Sequence, residues 1–405
     1  MAKILNMKKS NLFYCRQCIT ASTRPAISFN ANGICSACVN SKIKSKVDWK
    51  KRKFEFIKVL KKHQKLNINS DYDCIVPVSG GKDSVYQAYL LKKIYKMRPL
   101  AITWKTPART LQGEKNLNAL KSIGVDHIDF SINPQIINLI RKKSFIKFGD
   151  SSYLDHLCIY NLIPNLAAKF KIPLVVWGEN PYFEYGGSKK DSSERTQNLE
   201  MIKKHDVLKN FSSEKWIGGI ISKKDVASFS TPNQKKLKFL GYEPIYLGYY
   251  FPWDIKRNFS IAKKAGFRAR EAGPIMGLYS ESDIDCVNIV IHHYFKWLKF
   301  GFNRVTDNAS NEIRKGRLSR KQAVKLAKKF DGVKPPREYI SHFCKQINIT
   351  ENFFWKIANR FRNKKIWKRD SKKQWYIQNW IGGDKKPDKF PHTKLSNKEK
   401  INLTD

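Results

Sequence analysis

Cys74-Ile75-Val76-Pro77-Val78-Ser79-Gly80-Gly81-Lys82-Asp83-Ser84 is the stretch that decides the fold of this chain. A short apolar run of strand length leads into two glycines, and helical spacing runs from Val85 to Tyr95. Working outward, Leu100 to Trp104 reads as a second strand, followed by a helix around Glu114 to Ile123. His127 to Ile132 reads as a third strand, with helical stretches from Pro134 to Lys147 and from Tyr153 to Phe170. Ile172 to Trp177 is apolar throughout, as a parallel strand covered on both faces would be. Strand alternating with helix predicts an α/β fold with a doubly wound parallel sheet, whose ligands bind beyond the carboxyl ends of the strands.

Within that frame, Ser79-Gly80-Gly81-Lys82-Asp83-Ser84 sits between strand and helix. Paired glycines let the backbone turn tightly and approach a ligand closely. The free N–H groups and the helix N-terminus then form a concave, electropositive donor surface suited to a phosphate chain. Ser79 and Ser84 add hydroxyls, and Lys82 adds a cation if it turns inward. This is not a Walker A loop, because Asp83 stands where Ser or Thr would follow Gly-Lys.

The hexapeptide in this setting resembles the SGGxDS signature of the PP-loop ATP pyrophosphatases, of HUP-like fold. The resemblance implies ATP, Mg²⁺, pyrophosphate release and an adenylated intermediate. It assigns Asp83 to assisting the metal or ordering the loop. It also lays the end of the second strand, Thr103 and Trp104, against the adenine.

Cys15-x2-Cys18 is followed, after sixteen residues, by Cys35-x2-Cys38. This spacing suits a closed four-thiolate Zn²⁺ site, with an iron–sulfur cluster as the alternative. Cys74, Cys158, Cys286 and Cys344 stand apart among apolar or aromatic neighbours and read as core. Gly178-Glu179-Asn180, at the end of the fourth strand, falls on the ligand-facing edge of such a sheet. Glu179 there would bind Mg²⁺ or accept a hydrogen bond from substrate or ammonia, unless the turn merely caps the next segment. In Ile291-His292-His293-Tyr294, adjacent histidines cannot share a helix face, so at most one reaches a site.

The four-cysteine module, the SGGKDS loop, the Gly-Glu-Asn segment and the stretch from Ile291 to Gly301 together resemble the N-acetyl sugar amidotransferases. These make acetamidino sugars for bacterial surface polysaccharides, lipopolysaccharide among them. The likeness runs from about Cys15 to Phe330. It implies that the acetamido oxygen of a nucleotide-linked or free N-acetyl sugar is adenylated and that ammonia then displaces AMP. Ser79, Gly80, Gly81, Asp83 and Ser84 map onto the pyrophosphate loop; Gly178, Glu179 and Asn180 map onto the strand-end segment. His292 maps onto the helix histidine. Asn303, Val305 and Asn308 depart from the family's Gly-Arg-Ala-Thr-Asp-His run, while Arg304 and Asp307 remain as substrate contacts.

Composition sets the outer bounds. At 405 residues and 41% hydrophobic, the chain can bury a substantial core. We divide it into a zinc-binding module over 1–47, a PP-loop domain over 48–252 and a mostly helical region with a basic tail over 253–405. From Gly382 the tail reads as polar and frayed. Ser41 to Lys65 reads as an amphipathic helix joining the first two parts. No apolar run spans a bilayer, and the basic start, Met1 to Asn11, lacks a secretory apolar stretch, so a cytoplasmic protein is expected.

The net charge of +44 suits polyanionic partners, yet its basic residues are scattered along the chain, so nucleic acid is not the favoured partner. The rival reading is a tRNA-modifying PP-loop enzyme, which would call for further catalytic cysteines. Residue 2 is Ala and Cys158 sits on no nucleophile elbow, so a separate glutaminase subunit is expected to supply ammonia.

Overall fold

The computed structural model describes residues 12–198, 202, 208, 211–381 and 385–401. The basic start and the last four residues of the tail fall outside these. Five parallel strands form the central sheet: β1 Cys74–Pro77, β2 Pro99–Trp104, β3 Asp126–Phe130, β4 Leu174–Trp177 and β5 Glu243–Tyr246. Their order is β3-β2-β1-β4-β5, with Ile75 opposite both Leu100 and Val175. The chain builds outward from β1 on one side and then returns to build on the other. The switch point therefore lies between the carboxyl ends of β1 and β4, where a doubly wound sheet opens its binding crevice.

Period-two alternation covers both faces. Val76, Val78, Ala101 and Val176 enter one core, whereas Ile75, Ile102, Val175 and Trp177 enter the other. Two helices, α1 Ser36–Lys44 and α2 Trp49–Leu66, precede the sheet where a single one was expected over Ser41 to Lys65. They part because Asp48 takes an extended conformation and caps α2, accepting from Lys51 N at 2.9 Å. α2 buries Phe56, Val59 and Leu60 and leaves most of its lysines in solvent, as its spacing predicts. α3 Lys82–Tyr89, α4 Leu111–Ser122, α5 Pro134–Phe148 and α6 Tyr153–Phe170 flank the strands. Asp155 on α6 is held by Arg141 on α5 through two bonds of 2.8 and 2.9 Å, with the guanidinium wholly buried.

β5 escaped the sequence reading because Pro244 interrupts it. Proline cannot donate to a ladder, but β5 is the last strand of the sheet: β4 pairs with one edge, and the other makes an isolated antiparallel bridge from Ile245 to Thr196. Its Glu243 anchors α2 by accepting from Lys62 at 2.8 Å and lying 2.9 Å from His63 Nε2.

Beyond Pro252, Ile255–Lys264 packs into the same core as β1 through Ala262. The helices Val287–Phe300, Arg304–Arg314, Arg320–Phe330, Arg337–Gln346 and Glu351–Arg360 follow. Three short antiparallel strands, β6 Trp367–Arg369, β7 Trp375–Gln378 and β8 Lys385–Pro387, close this region. Trp367 and Trp380 are buried against Trp297, so they anchor a core and offer no stacking face. The tail expected to fray is ordered in part. β8 completes the small sheet, and Glu399 in Asn397–Ile401 receives the Arg270 guanidinium.

The four-cysteine module does not stand apart. Its Leu12, Ile19 and Ala21 join the core of the helix Val287–Phe300. Arg320 donates to the carbonyl oxygens of Cys15 and Cys18. Among the described residues no helix is long and apolar enough to cross a membrane.

Candidate functional site

Gly80 has φ +87°, a left-handed conformation natural to glycine. A Cβ there would stand 2.4 Å from the carbonyl oxygen of Gly113 on α4. Gly113 in turn leaves no room for its own Cβ, which would meet the Asp285 backbone at 2.8 Å. Loop, α4 and the segment before Val287–Phe300 are thus packed backbone to backbone. Ser84 Oγ accepts from Ser79 N at 3.2 Å and donates to Gly81 O at 2.9 Å, which fixes the turn. The N–H groups of Lys82, Asp83 and Ser84 fall in the first turn of α3 and have no partner within the helix.

Lys82 is turned inward: only 5% exposed, its Nζ lies 2.6 Å from Asp83 Oδ2. Asn258 donates to the other Asp83 oxygen at 3.1 Å. Carboxylates surround this pair. Burial first, and then the charge of Asp83, push Glu179 up to about 7. Burial also raises Glu281 and Asp285, the latter accepting from the Ser79 hydroxyl. Asp283 accepts from Arg304 Nε at 2.9 Å and lies 3.2 Å from His293 Nε2. Burial drives His293 down to about 4, which leaves it neutral at pH 7.

A cavity of about 540 Å³ opens from this loop and is lined by Ser79, Asp83, Ser84, Trp104, Gly178, Glu179 and His292. The switch point thus brings the segments after β1 and β4 to one space. Gly178 is there for proximity, since a Cβ would meet Gln87 Nε2 at 2.8 Å. Gln87 Oε1 is buried without a hydrogen-bond partner, an acceptor left for a ligand's donor. His292 points its Nδ1 at Asp150 Oδ1, 2.8 Å away, while His293 turns to the buried Asp283.

Other sequence candidates stand behind the walls. Thr103 bonds His127 Nε2 at 2.8 Å and does not line the cavity, whereas Trp104 lines it and donates to Asp155 at 3.1 Å. Asn180 caps Pro181–Tyr185, accepting from Tyr182 N at 2.9 Å and donating to the carbonyls of Asp191 and Glu194. Arg304 holds Asp283, and Asp307 receives both Arg24 and Lys296. The sequence reading passed over Glu281, Asp283 and Asp285. They lie in an aperiodic loop some two hundred residues downstream, and local pattern carries no trace of that contact.

The Sγ atoms of Cys15, Cys18, Cys35 and Cys38 all lie within 4.8 Å of one another. Cys15–Cys38 measures 4.0 Å and Cys18–Cys35 3.6 Å. Tetrahedral zinc with bonds of about 2.3 Å needs thiolates about 3.8 Å apart, so the set fits. Arg314 approaches Cys18 Sγ at 3.9 Å, placing a cation beside a centre that would carry surplus negative charge.

Residues 275–381 match the family model described as "LPS biosynthesis protein WbpG-like, C-terminal domain". The matched segment contains Glu281, Asp283, Asp285 and His292. The uncharacterized protein MJ1599 of Methanocaldococcus jannaschii is 32% identical over 114 residues, 28% of this chain and 40% of that protein. The chain therefore spans well under half of the curated relative that it matches. NMN synthetase from Francisella tularensis aligns with 54% of this chain and 94% of its own. Its 14% identity and TM-score of 0.24 are too low to bear on function.

Proposed function

We propose that this chain is an ATP-consuming PP-loop enzyme that transfers AMP to the acetamido oxygen of an N-acetyl sugar. Ammonia then replaces that oxygen, giving an acetamidino sugar for a surface polysaccharide such as lipopolysaccharide. One observation carries the reading. The SGGKDS loop opens, at the switch point of a parallel sheet, into a cavity whose other walls include His292, from the segment that resembles a lipopolysaccharide-biosynthesis domain.

An amide carbon is a weak electrophile with a poor leaving group, and adenylation supplies both needs. The amide oxygen attacks the α-phosphorus and pyrophosphate leaves. Ammonia next adds to the activated carbon, the C–O bond breaks, and AMP departs. The first-turn N–H groups of α3 and Lys82 would hold the phosphates. Asp83 and Asp285 would offer the hard oxygen ligands that Mg²⁺ takes, and the ion would neutralise phosphate charge. Glu179, whose carboxyl burial raises to about 7, would take a proton from the incoming ammonia. A separate glutaminase subunit would deliver that ammonia in the cytoplasm. Among the described residues no cysteine lines the cavity, which weighs against sulfur transfer to tRNA.

The test is the nucleotide product. With Mg²⁺, ammonium and a panel of N-acetyl sugars, ATP should yield AMP and pyrophosphate, and the sugar should gain positive charge as NH replaces O. Asp83→Asn should slow this by roughly a hundredfold or more with the fold intact. ADP as product removes the PP-loop reading. AMP with no change in any sugar, together with tight selective tRNA binding at physiological salt, shifts it to the tRNA enzyme.

A further inference from the structure

The topology that makes the switch point also builds the opposite end of the molecule. All five strands run parallel, so every helix that leads into a strand ends at the edge where the strands begin, away from the crevice. Contacts lace that edge together. Arg98, one residue before β2, donates to Asn67 O at 2.9 Å and Ser70 O at 2.6 Å in the connection from α2 to β1. Lys62, near the end of α2, reaches Glu243 at the start of β5, and the Tyr72 hydroxyl donates to Asp126 at the start of β3. We propose that this edge is a docking face for a bilayer surface rich in anionic lipid headgroups, which the protein binds peripherally and reversibly. Docking there leaves the crevice facing open solution, whatever reaction it carries out.

Exposed apolar side chains gather at those helix ends. Of the six large apolar residues more than half exposed among the described residues, four stand here: Leu66 and Ile68 before β1, Ile94 before β2 and Phe239, 96% exposed, before β5. Single apolar residues scattered over a surface are ordinary, but here one edge holds most of them. The surrounding charge is positive. The last turn of each helix and its connection to the strand, residues 63–73, 91–98, 119–125, 167–173 and 237–242, hold nine lysines and arginines against two carboxylates. Asp73 is buried and taken by Arg98 at 2.7 Å, which leaves Asp71 and, on β3, Asp126 as the exposed acids. A net +7 in these 39 residues is denser than the +44 spread over 405. Helix dipoles alone would draw lysines to these ends, but not aliphatic side chains into water among them. Lys96 and Lys171 end their helices at φ +53° and +56°, where Gly124 and Gly241 serve before β3 and β5. A side chain in that conformation carries strain that glycine avoids, so two of the cations are held at this edge against local preference.

The mixture fits a bilayer better than other polyanions. Leu66, Ile94 and Phe239 each follow a lysine directly, and the half-exposed Phe170 before β4 lies between Lys169 and Lys171. Aliphatic side chains add nothing to a contact with nucleic acid, which uses aromatic faces for stacking. An acidic protein partner wants an apolar core depleted of charge inside a polar rim, not lysine beside each apolar residue. A second copy of this chain would bring the same positive face against it. In a headgroup layer, by contrast, lysines stay at the phosphates while apolar tips enter the acyl boundary. The two signals together hold a protein at the surface where either alone is marginal.

The experiment is vesicle flotation of the full chain, comparing vesicles of phosphatidylethanolamine with phosphatidylglycerol against vesicles of phosphatidylcholine. The chain should float with the anionic vesicles and not with the neutral ones, and its hold should weaken as salt rises. A charge of +44 would by itself draw any variant to an anionic surface, so the deciding substitutions keep the charge. Ile68→Ser, Ile94→Ser and Phe239→Ser together should weaken binding roughly tenfold or more. Phe239→Ser alone, at a side chain almost wholly in solvent, should weaken it about threefold and keeps the test sound should the triple variant lose stability. Ile220→Ser is the control: Ile220 is as exposed, but it stands four residues from Trp216, which packs on Tyr153 at the start of α6 and so at the opposite edge. That variant should bind as the parent does. Equal binding by parent and Phe239→Ser, or an equal loss in Ile220→Ser, overturns the docking face. Flotation with phosphatidylcholine as strong as with phosphatidylglycerol overturns it too. If the apolar substitutions weaken tRNA binding and leave vesicle binding unchanged, the edge is a nucleic-acid surface and the bilayer proposal falls.

Discussion

Replacing Glu179 by Gln should stabilise the nucleotide-free protein and disable it, by an amount that depends on pH. In the folded chain, burial and the charge of Asp83 hold this carboxyl at about 7. An exposed glutamate titrates at about 4.3. The folded state thus keeps a proton that the unfolded state releases. Stability falls as pH rises between those two values and levels off above the higher one. Each pH unit of separation is worth about 1.36 kcal/mol, so the penalty is about 1 kcal/mol at pH 5 and rather more than 3 kcal/mol at pH 8. Glutamine has nearly the same shape and never ionises, so it escapes the penalty. Urea unfolding followed by tryptophan fluorescence at the two pH values should therefore show the gap between variant and parent widening by roughly 2–3 kcal/mol. AMP formation by the variant should fall by roughly a hundredfold, because the group that is costly in the empty site is the one proposed to take the proton. A gap that stays the same at pH 5 and pH 8 would falsify the assigned environment of Glu179.

Purified protein should contain about one zinc per chain by elemental analysis, and Cys35→Ser should lower thermal stability before it alters the chemistry; iron with visible absorbance, or no metal, refutes this. Gly80→Ala drives a methyl into the Gly113 carbonyl and demands a left-handed alanine, for a loss of about 2–4 kcal/mol. Its thermal midpoint and its affinity for an ATP analogue should fall together, and an unchanged midpoint would show that the loop is less tightly packed against α4 than its geometry requires.

Much of the α/β half was legible because its signals are local. Cys74 to Ser84 carries strand, turn and helix start within a dozen residues, and the cysteine spacing survives any ignorance of the fold. Glu179 was legible through its place at the end of an unmistakably apolar strand. Where contacts are remote, the sequence is mute. Nothing near Glu281 or Asp285 announces that Gly113 will press their segment against the glycine loop. Asn180 looked like part of a ligand-binding trio, but its side chain is spent on capping Pro181–Tyr185. The two histidines were separable in principle, and helix geometry divides them: His292 to the cavity, His293 to the interior. β6 to β8 are three or four residues each and rich in lysine and tryptophan, too short for alternation to register.

The seat of the cysteine module has a consequence for synthesis. The module leaves the ribosome well before the residues that clasp it, Arg314 and Arg320, which are made on the order of 280 residues after Cys38. At about 5–20 residues per second that is a wait of roughly 15–60 s. During the interval the nascent module has no helix Arg304–Arg314 to rest on, and its apolar Leu12 and Ile19 have no core to enter. Its thiols are then the means by which it can hold a shape. If the four thiolates hold zinc, metal availability during translation, rather than afterwards, would decide how much of the chain reaches its finished form.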